Sequence, residues 1–226
     1  MPVCLVTASN RGIGFELARA ALARGWTVYG SVRTEELAHE TASRLDGDFK
    51  PLVFDVTDHA RVHAVAASLD NALDLLINNA GIISPKRQSP LDMDFDGFAE
   101  TLKVNTLAPL AVSQAFLPPL RKSVNGRILT ISSQMAWIGY RKSDTLAYRA
   151  SKAAVNKVMQ GLATELEPSN IPVALIDPGW VRTDMGGPQA DNDPVAVAEG
   201  ILEVAERLTL ADTGKFFRWS GEERPF

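Results

Sequence analysis

VCLVTASNRGIGFELARAALARG, residues 3–25, reads as a strand, a glycine-bearing turn and a helix in immediate succession. Val3 to Ala8 form a short apolar run of strand type. Phe15, Leu17, Ala18, Ala21 and Leu22 then recur at helical spacing. Such a unit makes a cradle for phosphate: main-chain N–H groups and a helix N-terminus face the anion, and small residues let it approach. The glycines at 12 and 14 do not fit G-x-G-x-x-G, so the turn alone commits the chain to little.

Strand-like segments near 3–8, 26–32, 50–55, 73–78, 126–132 and 171–177 alternate with helical stretches near 12–24, 96–121, 146–166 and 194–209. KFFRW near the end adds a last strand, and Pro118-Pro119 are expected to end the helix before them or its last turn. This alternation predicts an α/β chain with one domain over residues 1–226: a Rossmann-type, doubly wound parallel sheet of about seven strands with helices on both faces. Several strands run into polar or glycine residues: LDLLINNAG into Asn78 and Asn79, GRILTISSQ into Ser132 and Ser133, and IPVALIDPGW into Pro178-Gly179. Ligands of open α/β sheets bind beyond the C-terminal strand ends, so these ends outline one crevice. Ordinary turn chemistry would place the same residues there.

In AYRASKAAVNKVMQGLATEL, Tyr148 and Lys152 stand four residues apart and share a helix face. A cation beside a phenol favours the phenolate. Lowering a tyrosine pKa to about 7 takes roughly 4 kcal/mol and would give an acid suited to neutral pH.

The composition is that of an ordinary globule: 226 residues, 46% hydrophobic and 22% charged. A net charge of −4 argues against non-specific nucleic-acid binding, which needs a basic field. No apolar run approaches the ~20 residues needed to span a bilayer. A strand beginning by residue 3 leaves no room for a signal peptide, so a cytoplasmic location is expected. Cys4 is the only cysteine, which excludes intramolecular disulfides and is expected to be a buried strand residue. His39, His59 and His63 lack metal spacing, and neither G-x-S-x-G nor a P-loop motif is present. Asp92, Asp94 and Asp96 read as a solvated helix start. Apolar faces at Leu102–Leu117 and Tyr148–Leu166 suit sheet packing and a homo-oligomer interface equally.

Taken in order along the whole chain, these motifs resemble the short-chain dehydrogenase/reductases. Thr7-Ala8-Ser9-Asn10-Arg11-Gly12-Ile13-Gly14 is similar to that family's T-G-x-x-x-G-x-G cofactor turn, Asp55-Val56 to its adenine-contacting pair, and Asn78-Asn79-Ala80-Gly81 to its N-N-A-G motif. Asn105, Ser133, Tyr148 and Lys152 match its catalytic tetrad, and Pro178, Gly179, Val181 and Thr183 lie in the segment that holds the nicotinamide. DPGWVRTDMGG, YRASKAAVN and the ending TGKFFRWSGEERPF resemble the small carbonyl reductases of the C-factor-like and sniffer-like group. The resemblance implies hydride transfer between a nicotinamide cofactor and a ketone, aldehyde or quinone, or the corresponding alcohol. Tyr148 is then the general acid and base, and Ser133 binds the carbonyl oxygen. Lys152 lowers the Tyr148 pKa and binds the ribose, and Asn105 holds a water behind Lys152. Some proteins of this fold bind the dinucleotide mainly as sensors, a reading the intact Ser133, Tyr148 and Lys152 set disfavours.

Two departures stand out. Ala8 replaces the first glycine; alanine allows the same close approach only if its φ is negative, which makes the local backbone a little less permissive. Ser133 lies 15 residues before Tyr148 where 13 is common, which leaves Ser132 and Ser143 as rivals for substrate contact. At the end of the second strand no carboxylate is positioned to bind a ribose 2′-hydroxyl. Val32 and Arg33 stand there instead, Arg11 is a second cation, and Glu35 and Glu36 follow. NADP(H) is therefore expected over NAD(H). Only MGGPQADND separates Asp184 from Pro194, so the expected lid is short and mobile. Trp137, Tyr140 and Trp180 would then line an open, aromatic pocket for small or flat carbonyl compounds.

Overall fold

The computed structural model describes residues 1–226. The chain runs β1 (Val3–Val6), α1 (Gly12–Ala23), β2 (Thr27–Val32), α2 (Glu35–Ser43), β3 (Phe49–Val53), α3 (His59–Ala67), β4 (Leu75–Asn78) and a small hairpin, β5 (Gln88–Ser89) with β6 (Asp92–Met93). It continues α4 (Phe95–Leu102), α5 (Ala108–Lys122), β7 (Arg127–Ile131), α6 (Leu146–Leu166), β8 (Val173–Asp177), α7 (Pro194–Arg207), β9 (Phe216–Arg218) and β10 (Glu223–Arg224). The main sheet has the order β10-β9-β8-β7-β4-β1-β2-β3. Seven strands are parallel, as the sequence predicts, and β10 adds an eighth that pairs antiparallel with β9. The order reverses between β1 and β4, where an open α/β sheet forms its crevice.

Strand alternation divides the core between the two faces. Cys4 and Val6 of β1 pack with Leu17 and Ala21 of α1 and Ile201 of α7. Leu5 between them turns to the other face, with Val62 of α3, Phe116 of α5 and Met159 of α6. Cys4 is buried as expected, and burial pushes its thiol up to about 12. Asp94 caps α4 by accepting the Gly97 N–H, and Asp92 pairs with Arg87, which accounts for the acidic alternation there.

The single helix expected over 96–121 is three pieces. Between α4 and α5 the chain widens into a π-helical turn, Lys103–Leu107, that carries Asn105. Such turns often mark functional positions. Pro118 and Pro119 lie inside the last two turns of α5, which runs on to Lys122. Proline lacks the N–H but keeps its carbonyl, and the Pro119 carbonyl accepts from Leu73 N. No helix is long and apolar enough to cross a membrane.

Candidate active site

The ends of β1 and β4 are tied together by two residues the sequence singles out. The Thr7 hydroxyl accepts the N–H groups of Asn79 (2.8 Å) and Ala80 (2.9 Å), and Asn79 Nδ2 donates to the Thr7 carbonyl at 2.9 Å. Gly14 closes the same corner. A Cβ there would lie 2.3 Å from the Ala8 carbonyl oxygen and 2.5 Å from Asn79 Nδ2, so only glycine fits. Ser9 is fully buried and donates its hydroxyl to the Ser31 carbonyl, which leaves its side chain unavailable to a ligand. The Ser31 hydroxyl accepts the Ala8 N–H at 3.0 Å. Ser31 therefore shapes the turn, a role that nothing in its local sequence announces.

Ala8 does not meet the condition of a negative φ and adopts +54°. The turn imposes this left-handed conformation because Ala8 N and Ser9 N are both hydrogen-bonded to Ser31. For alanine it costs about 1 kcal/mol or more.

No side chain caps the N-terminus of α1, and its first turn holds no acidic residue. By contrast, Thr34, Asp58, Asp94 and Asp193 cap α2, α3, α4 and α7. An uncapped helix start beside Asn10, Gly12 and Ile13 fits the pyrophosphate of a dinucleotide. Arg11 is exposed and pairs with Asp184 at 3.3 Å, linking the turn to the segment after Thr183 instead of standing free. A third arginine, Arg44, which the sequence does not flag, donates to the Asn10 carbonyl at 3.4 Å and lies over the Phe15 ring.

Exposed Arg33 follows β2 directly. Across from it Asp55 sits beside half-buried Val56. Burial works against the Asp55 charge, but hydrogen bonds from the Thr57 N–H and hydroxyl, with help from Arg33 and Lys103, hold its carboxyl below the usual range.

At the C-terminal end of β7 the three candidate serines separate. Ser132 is buried and hydrogen-bonds Asn156 Oδ1 at 2.5 Å. Ser143 is exposed. Ser133 is buried, accepts the Met135 N–H at 3.1 Å, and is the one of the three that influences the Tyr148 hydroxyl, favouring its phenolate. Tyr148 and Lys152 lie on α6 as expected, both buried, with Lys152 Nζ 5.7 Å from the tyrosine ring centroid and donating to the Ile131 carbonyl at 2.8 Å. The expected lowering of the Tyr148 pKa is not found. Burial pushes it up to about 12, the Ser133 hydrogen bond opposes this, and the Asp177 charge adds to it. Burial also brings Lys152 down to about 8. Helical spacing reports the neighbour but not the solvent that both groups lose.

Gly81 adjoins this centre: a Cβ on it would lie 3.4 Å from Asn105 Oδ1 and 3.6 Å from Lys152 Nζ. The Asn105 amide is fully engaged with its neighbours, accepting from Ile82 N and donating to Ile82 O and Ser151 Oγ. Gln88 of the small hairpin is another residue that sequence reasoning missed. Its Oε1 accepts the Tyr148 N–H at 3.2 Å, supplying the cap that Thr145, at φ +46°, does not give α6.

Pro178, Gly179, Val181 and Thr183 follow β8 along the other side of the crevice. The segment beyond them, the expected short lid, is laced by its own hydrogen bonds. Asn192 donates through N and Nδ2 to the Trp180 carbonyl, the Trp180 indole donates to the Gly186 carbonyl at 2.7 Å, and Val181 bridges Asn192. Trp137 and Tyr140 meet edge to face at 4.8 Å and are partly exposed on the neighbouring loop.

This geometry has counterparts. The family model for short chain dehydrogenases matches residues 2–194. The C-signal protein of Myxococcus xanthus is 37% identical over 155 residues, 68% of this chain and 93% of that one. The NADPH-bound carbonyl reductase from chicken fatty liver superimposes with a TM-score of 0.90 at 31% identity, covering 100% of both chains. The carbonyl reductase Sniffer of D. melanogaster gives 0.92 at 28% identity, also over 100% of both. The chain is an oxidoreductase and belongs to the short-chain dehydrogenase/reductase family.

Proposed function

We propose that this protein is an NADP(H)-dependent oxidoreductase that interconverts a ketone, aldehyde or quinone and the corresponding alcohol, with Tyr148 as general acid and base. One observation carries the reading: Ser133, Tyr148 and Lys152 are enclosed side by side at the C-terminal end of β7. When bound, the nicotinamide supplies or takes up the hydride. The main chain from Ser9 to Gly14 and the open start of α1 would hold its phosphates, Asp55 and Val56 the adenine, and the Pro178–Thr183 segment the nicotinamide. Lys152 would bind the ribose. Arg33, at a strand end without a carboxylate, would receive a 2′-phosphate.

In the reducing direction the Ser133 hydroxyl holds the carbonyl oxygen, and the Tyr148 hydroxyl gives it a proton as charge develops. A phenol pushed up to about 12 remains protonated at neutral pH and is ready to donate. Asn105 completes the set as the residue expected to hold a water behind Lys152. Its amide is already engaged, so that water would rest on other atoms of the π-helical turn. Oxidation of NADPH and NADH with a panel of carbonyl compounds tests the reading. Turnover supports it, and tight dinucleotide binding with no turnover across the panel favours a sensor.

A further inference from the structure

Asp177 ends β8, and its side chain has no exposed surface. Its Oδ1 accepts two main-chain N–H groups at 2.9 Å, from Gln134 and from Gly179. Gln134 follows Ser133, and Gly179 opens the segment on the opposite side of the crevice. A single carboxylate thus pins both walls of the site. Its other oxygen, Oδ2, lies 2.9 Å from Arg224 Nε as an ion pair without an aligned hydrogen bond. Arg224 belongs to β10, the strand that sequence patterning does not reveal. β9 holds β10 in place, and Trp219, the residue after β9, binds Asp177 a second time by donating its N–H to the Asp177 carbonyl. A buried carboxylate needs a partner of opposite charge, and Arg224 is the only cation paired with it.

We infer that Asp177 and Arg224 are a positioning pair for the reaction: β10 neutralises the carboxylate that sets Ser133 and Gly179 across the crevice from each other. The inference rests on the proposed roles of Ser133 and Tyr148. The pair acts on those groups and does not touch substrate. It also governs a field at Tyr148, where the Asp177 charge opposes the phenolate and Arg224 reduces that charge. The other groups facing Tyr148 are Lys152 on α6, the Ser133 hydroxyl after β7 and the uncharged Gln88 of β5.

The test is the pH profile of kcat/KM for alcohol oxidation by the holoenzyme, where Tyr148 must lose its proton. Asp177→Asn keeps an acceptor for both N–H groups but removes the charge, and its amide meets Arg224 donor to donor. Arg224→Gln leaves the carboxylate unneutralised. The pair predicts opposite displacements of the ascending, acid-side limb, by about half a pH unit each: downward for Asp177→Asn and upward for Arg224→Gln. Each single variant should lose about tenfold in kcat. The double variant restores an amide–amide contact and should recover most of the kcat lost in Asp177→Asn, with the limb still displaced downward. Displacements in the same direction, or none, would overturn the inference while leaving the proposed function standing. Amide exchange at Gln134 and Gly179 needs no turnover. Faster exchange at both in Arg224→Gln supports the pinning, and unchanged exchange contradicts it. Absence of turnover in the wild type would instead refute the functional reading itself.

Discussion

Lys152 Nζ lies 5.7 Å from the Tyr148 ring centroid with both side chains buried, and burial disfavours the charged form of each. At that separation a phenolate and an ammonium attract by about 3 kcal/mol at an effective dielectric of about 20. Burial of the phenolate, with the Asp177 charge added to it, outweighs any such attraction, and the tyrosine stays at about 12. The pair rests as a protonated phenol beside an ammonium that titrates at about 8.

Lys152 therefore weakens the fold it serves. Its pKa falls from 10.5 to about 8 on folding, so between those values the unfolded chain binds more protons and stability rises with pH. The full penalty, up to about 3 kcal/mol, applies below pH 8. Lys152→Met should abolish turnover yet stabilise the protein by about 1–2 kcal/mol at pH 7, since the Ile131 carbonyl loses its partner and offsets part of the gain. The difference between the variants should shrink as pH rises from about 8 towards 10.5. Urea denaturation at a series of pH values checks the sign. A less stable Lys152→Met protein at pH 7 would contradict it.

Ala8 at φ +54° predicts that glycine suits the position better. Ala8→Gly relieves about 1 kcal/mol or more of strain but loosens the unfolded chain, leaving a net gain of about 0.5 kcal/mol. Thermal or urea unfolding measures it, and a destabilised Ala8→Gly protein would show that the turn is not strained.

Arg33 is expected to set the cofactor preference. Wild-type protein should use NADPH with higher kcat/KM than NADH, and Arg33→Ala should narrow the ratio about tenfold by losing the 2′-phosphate contact. Equal efficiency with NADH in the wild type would refute this. Arg11, already paired with Asp184, should matter less.

Trp137 and Tyr140 form a partly exposed aromatic edge, and the segment after Thr183 is folded back on Trp180. That arrangement is expected to favour small or flat carbonyl compounds over bulky polycyclic ones. A size-graded series should show kcat/KM falling with bulk. A rise toward polycyclic ketones, with small aromatic carbonyls inert, would show that the site encloses more than these loops suggest.

The parts legible in the sequence are those written in consecutive residues. The Thr7–Gly14 turn, Asn79-Ala80-Gly81 and the Tyr148/Lys152 spacing each lie within a few positions, and each stands at the end of a strand or on one helix face. What escaped depends on partners distant in the chain. Gln88 reaches Tyr148 across 60 residues, and Arg224 meets Asp177 across β9. β10 is two residues long, too short for a period-2 pattern to register. The rise in the Tyr148 pKa was invisible for the same reason. It follows from the elements that exclude water from the site, whereas the i,i+4 pattern reports only the lysine.

The central claim is that Tyr148 donates the proton, and Tyr148→Phe tests it most directly. The ring keeps its place on α6, so NADPH affinity should stay within about twofold of wild type. kcat for carbonyl reduction should fall by about 10²–10⁴-fold. A folded Tyr148→Phe protein that binds NADPH and turns over at near the wild-type rate would contradict the account.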